Sequence, residues 1–136
     1  MKASNLSFRI AVVCALAGIG MDIAMGISRD HSVMPAHAHL NLLGWVSLFL
    51  FGIYYRLHPA IDASPLARIQ VWIWSIGTVA LTVAVAAIHM GYTGADPVAA
   101  VSSLVVLGAM VLFGIVVFWP SFAERWSIKP VLTPAE

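Results

Sequence analysis

Residues 36–57 read AHAHLNLLGWVSLFLFGIYYRL, and this stretch decides the fold. A helix that crosses a bilayer needs about 20 mostly apolar residues. Here the one side chain that is always charged is Arg56, next to the end of the run. Three runs of the same kind flank it, at residues 7–27, 66–90 and 98–119. The segments between them hold the turn formers, with Pro35 and Pro97 placed where a following helix tolerates a missing amide proton. Of the 136 residues, 61% are hydrophobic and 10% charged, against about 25% charged in an ordinary soluble domain. The mean hydropathy is +0.94. That balance excludes a soluble enzyme and a disordered chain, and a net charge of +1 offers no field to a nucleic acid. The expected fold is all-α: one four-span transmembrane domain over residues 1–136, in contact with the lipid bilayer.

Basic residues give the orientation. Lys2, Arg9, Arg56, Arg68, Arg125 and Lys129 fall on one side of a four-span chain, and of the seven basic residues only Arg29 falls on the other. The positive-inside bias puts both termini, and a tail over 120–136, in the cytoplasm. Trp72, Trp74, Trp119 and Trp126 are expected to form an aromatic belt at that surface. The first run is longer than a signal-peptide core and no small-x-small cleavage pattern follows it, so it is expected to be retained. The single cysteine, Cys14, excludes a disulfide framework and a cysteine-based metal site.

In this topology the polar groups collect at the outer end. Asp22 lies about one and a half turns inside the first span, His37 and His39 open the second, and His89 closes the third. Ionisable groups within a bilayer are costly and mark function by default. On an α-helix, residues two apart point about 200° away from each other. His37 and His39 therefore do not chelate one ion, and the spacing differs from the pairs of zinc sites. They suit two sites, one on each face of the helix, with imidazole as an axial ligand at a helix–helix or subunit interface. Asn41 and Gly44 follow on the same helix, and Gly18, Gly20, Gly26, Ser47 and Gly52 thin the surfaces, either for a flat ligand or for helix packing. Asp22 is expected to be protonated, to accept the second ring proton of His37, His39 or His89, or to face an aqueous crevice. Met21 and Met25, one turn apart, with Met34 and Met90 at the same depth, suit copper(I) or serve as flexible apolar filler. His31 and His58 are expected to be ordinary loop residues.

The segment His37-Ala38-His39-Leu40-Asn41-Leu42-Leu43-Gly44 resembles the heme-ligating H-x-H helix of subunit I in the heme-copper oxidase and nitric oxide reductase superfamily. The run from Gly18 to Pro59 is also similar to small oxidase-like and NO-response membrane proteins. The resemblance implies a heme b held by His37 and His39, with His89 third, Asn41 and Gly44 beside the cofactor and Asp22 behind a ligand. It implies electron transfer or binding of O2 or NO, a redox partner, and a multi-pass protein of a bacterial inner membrane. Superfamily members have twelve helices in three arcs of four, so a homotrimer of this chain would rebuild the ring through heterologous contacts that close. The copper-site motifs of the superfamily do not occur here: Tyr54 and Tyr55 lie far from the histidine layer, and no His-His pair is present. Any catalysis would be that of an oxidoreductase of this type. The alternative is a copper-handling or oxidase-assembly protein.

Overall fold

The computed structural model describes residues 1–126, with side chains as far as Phe118. It contains four long helices: α1 (Ala3–Ser28), α2 (Met34–Leu57), α3 (Pro65–His89) and α4 (Asp96–Trp126). A one-turn helix, Pro59–Asp62, joins α2 to α3, and a 3-10 turn, Thr93–Ala95, joins α3 to α4. Among the described residues there is no strand. All four helices are long and apolar enough to cross a membrane, so the chain is a multi-pass membrane protein. Each helix starts slightly before its apolar run. Pro35 and Pro65 stand in the first turns of α2 and α3, and the Ser64 hydroxyl accepts from the Ala67 amide at 3.2 Å to cap α3. α4 continues to Trp126, into the stretch expected as a tail, while residues 127–136 lie outside the described residues. Arg29 ends α1 in the left-handed region at φ 57°, and Gly91 after α3 has φ 95°. In the α1–α2 loop the Asp30 carboxylate accepts from the Ser32 amide at 2.9 Å, which holds its carboxyl below the usual value.

Neighbours in sequence are neighbours in space. α1 packs extensively along α2 and α3 along α4, α2 meets α3 less extensively, and α1 and α4 scarcely meet. The result is an open arc rather than a closed square of helices. Burial follows from this: the apolar windows of the two end helices are each 22% buried, against 33% for α2 and 44% for α3. One face of α1, with Val12, Val13, Leu16, Ile19, Ile23 and Ile27, stands more than half exposed and meets lipid.

The core lies towards the end that carries Asp62. Leu48, Phe51, Tyr55, Val71 and Trp74 form it together with Leu6 and several alanines. The Phe51 ring meets Trp74 edge-on at 5.0 Å and Phe113 at 4.3 Å, arrangements that add to simple area burial. Trp74 therefore departs from the expected aromatic belt. It is 1% exposed, because its indole N–H finds an acceptor inside the protein, the Leu43 carbonyl at 2.9 Å. Trp72, about half exposed, is free to lie at a surface, and the side chains of Trp119 and Trp126 lie outside the described residues.

Most polar side chains in the interior are bonded, as a low dielectric favours, the described exceptions being the buried hydroxyls of Thr78 and Thr82 on α3, which have no partner. The Tyr55 hydroxyl donates to Gln70 Oε1 at 2.8 Å, and Gln70 Nε2 donates to the Ala109 carbonyl at 3.3 Å, tying α2 to α3 and α3 to α4. Asp62 is 1% exposed and accepts from both the amide and the hydroxyl of Ser4, at 2.7 and 2.8 Å. Lys2, at the N-cap of α1, provides no side-chain bond. A carboxylate from a distant loop thus caps the first helix, at the end where its dipole favours negative charge.

Candidate functional site

The second helix is not uniform. Met34–His39 and Leu48–Leu57 are α-helical, but Leu40–Ser47 between them is π-helical. The wider winding leaves carbonyls to be satisfied from outside. The Ser47 hydroxyl donates to the Leu42 carbonyl at 2.8 Å, Trp74 to that of Leu43, and the Ser7 hydroxyl to that of Leu48 at 2.6 Å. A donor from α3 thus braces the π segment, and one from α1 the residue directly after it. Such segments are rare and cluster at functional sites, and this one begins directly after His39.

His37 and His39 leave the helix on different sides. His37 turns to α1, where its Nδ1 lies 3.0 Å from the Gly18 carbonyl. The Asn41 amide nitrogen lies 3.1 Å from His37 Nε2 and 3.3 Å from Nδ1. A point so nearly equidistant from both ring nitrogens sits over the ring face, not in line with either lone pair. That same amide donates to the His37 carbonyl at 3.1 Å. His39 takes the other side, its Nδ1 bound to the Pro35 carbonyl at 2.7 Å. His89 repeats the pattern with the Val85 carbonyl at 2.9 Å but stands exposed at the end of α3. A backbone carbonyl can only accept, so the neutral form of each ring that fits these contacts has the proton on Nδ1 and the lone pair on Nε2. This is the tautomer that metal-ligating histidines usually hold.

The close approach of α1 and α2 rests on glycine. A Cβ at Gly18 would stand 2.6 Å from the Asn41 side-chain oxygen, and one at Gly44 would stand 2.9 Å from Cys14 Sγ. Gly20 and Gly26, by contrast, face open space. A Gly18→Val substitution is expected to push Asn41 off the His37 ring and to destabilise the protein by roughly 1–3 kcal/mol. Gly20→Val should leave the thermal midpoint in detergent unchanged.

His39 borders a cavity of about 480 Å³ between α2, α3 and α4. Ala38, Leu42 and Leu43 line it from α2, Trp74 and Leu81 from α3, and Val106, Leu107 and Met110 from α4, with Ser103 the other polar side chain. The Ser103 hydroxyl is committed to the Ala99 carbonyl at 2.9 Å. The volume and the apolar lining are those of a cofactor pocket with few polar groups. The sequence pattern does not signal these residues, since they come from three helices and read as ordinary apolar filling.

The remaining candidates do not gather here. Among the described residues no three His, Cys, Asp or Glu side chains converge as a metal group, so His37, His39 and His89 do not form one chelate. Asp22 is exposed on α1, and the Nδ1 atoms of His37, His39 and His89 meet backbone carbonyls. Met25 is buried while Met34 and Met90 are largely exposed. His31 is exposed in its loop, and His58 stacks on Tyr54 at 4.3 Å beyond the far end of α2. Comparisons with protein-family models, with curated proteins and with solved structures find no match to this chain.

Proposed function

We propose that the chain binds heme b through His39, near the outer face of a bacterial inner membrane, and uses it to transfer electrons or to bind a diatomic gas. The observation that carries this reading is the uncommitted Nε2 of a histidine bordering an apolar cavity of about 480 Å³. When bound, heme supplies one-electron chemistry and an open coordination position at iron. The protein's own part is to orient and to exclude. The Pro35 carbonyl fixes the His39 ring and makes it a stronger donor, while Leu42, Leu81, Val106 and Leu107 give the pocket its apolar walls. His37, held by Gly18 and Asn41 on the opposite side of α2, is the ligand candidate for a second site, with His89 third. A helix that presents imidazoles on two sides belongs between two neighbours. A homotrimer of open arcs, with both termini in the cytoplasm and a redox partner at the outer end, accommodates that arrangement. Asp22, on an exposed face of α1, is then covered by an adjoining copy.

A pyridine hemochrome spectrum of protein purified from heme-replete membranes tests the reading. A b-type spectrum in stoichiometric amount is expected. A colourless protein that takes up no hemin overturns it, and copper found in such a protein by metal analysis would move the function to copper handling.

A further inference from the structure

The two helices at the ends of the arc carry glycines that packing within one copy does not explain. Gly18, Gly44, Gly52 and Gly77 each lie against a side chain of a neighbouring helix. Gly20 and Gly26 on α1, and Gly108 and Gly114 on α4, face open space. A glycine inside a helix costs about 1 kcal/mol relative to alanine, and an open face returns no contact for it.

Gly20 and Gly108 each sit in an exposed line of larger residues, and the two lines match. On α1 the line is Val13, Leu16, Gly20 and Ile23, in steps of three, four and three. On α4, read from its far end, it is Val111, Gly108, Leu104 and Val101, in the same steps. Every side chain in both lines is more than half exposed. Such spacing is that of a seam between two helices. The ends of α1 and α4 at Ser28 and Asp96 lie at the same end of the bundle, so the two helices run antiparallel. At 1.5 Å per residue, Gly20 and Leu104 both lie about 12 Å from those ends, and Leu16 and Gly108 both about 18 Å. Each glycine is therefore level with a leucine of the other helix, Val13 with Val111, and Ile23 with Val101. Lipid chains conform to any apolar surface and need no such match of sizes. Within one copy the two lines cannot meet, because α2 and α3 stand between them.

We propose that the α1 face of one copy docks on the α4 face of a second, with Leu16 over Gly108 and Leu104 over Gly20. Small residues let the two backbones come close. The two faces differ, so the contact is heterologous, and repeating it closes a ring when the rotation allows. The seam rests on the self-association proposed above, gives it named faces and a register, and requires no heme.

The test uses the full chain in lipid vesicles, with Cys14→Ala removing the native thiol. Two differently tagged copies are made together, one carrying Leu16→Cys and the other Gly108→Cys, and oxidised with copper phenanthroline. A disulfide joining the two tags is expected, and so is one between Gly20→Cys and Leu104→Cys copies. Neither variant made alone should form a bond, and Leu16→Cys with Leu104→Cys, displaced by one turn, should form none. Energy transfer between labelled copies diluted in lipid gives a second measurement. Gly20→Val should weaken association by about tenfold, and adding Leu104→Ala should restore it. Bonds at the displaced pair, bonds between two α1 helices, or none at any pair overturn the seam. Association unchanged by Gly20→Val overturns it as well. Hemochrome spectra of the same preparations keep the two readings apart. A b-type spectrum without the disulfides strikes the seam alone, and a colourless protein that forms them strikes the heme reading alone.

Discussion

If His39 holds the heme proposed above, a His39→Ala protein is expected to purify without it. The loss should exceed the roughly 10–100-fold that removing a hydrogen-bonding partner of a ligand costs, because the donor atom itself is gone. The fold should survive, since the His39 ring is only part-buried and its one described bond is to Pro35, one turn back on the same helix. Adding imidazole to the preparation should refill the space left beside the cavity and restore a heme spectrum. His37→Ala should instead alter the spectrum and lower stability together, since that ring also ties α2 to α1 through Gly18. His31→Ala and His58→Ala should leave the spectrum as it was. An unchanged spectrum in the His37→Ala, His39→Ala double variant would remove both residues from the site.

The second large effect is expected far from the histidines. Asp62→Ala leaves the Ser4 amide and hydroxyl without an acceptor where neither reaches water. Bonds to a charged acceptor contribute about 1.5–3 kcal/mol each, and unsatisfied donors add their own penalty. A loss of about 3 kcal/mol is expected in reversible unfolding by denaturing detergent. Asp62→Asn keeps one carbonyl oxygen facing the Ser4 amide and should recover at least half of it. Equal losses in the two variants would mean that the volume of the side chain matters there and the cap does not.

The parts of the fold legible in the sequence depend on local composition. Four apolar runs separated by prolines and polar turns specify four spanning helices, because a bilayer tests each run by its own hydropathy. Gly18, Gly44 and Gly52, which meet a neighbour as Gly77 on α3 also does, were visible as small residues. Their composition did not separate them from Gly20 and Gly26, which meet nothing. The π segment was not legible. Nothing in LNLLGWVS specifies an i+5 pattern on its own. Trp74, which donates to the Leu43 carbonyl within it, lies 31 residues from that group, and Ser7, which donates to the Leu48 carbonyl just beyond it, lies 41. The cap of α1 was hidden for the same reason, with Asp62 standing 58 residues from Ser4. Among the histidines, the spacing implied two directions. That backbone carbonyls at Gly18, Pro35 and Val85 would hold the Nδ1 atoms depended on how the rings pack. The cavity was the least visible of all, being a property of three surfaces that only tertiary structure brings together.

Cys14, the chain's single thiol, lies in the seam between α1 and α2, its sulfur in the space a Gly44 side chain would need. A membrane-permeant alkylating reagent has no route to that sulfur while the two helices stay in contact. The rate at which the thiol reacts is therefore a clock for how often the seam comes apart, read in the native protein without denaturant. The same seam contains the contact between His37 and Gly18, so the clock also times how long one of the two imidazoles keeps its orientation.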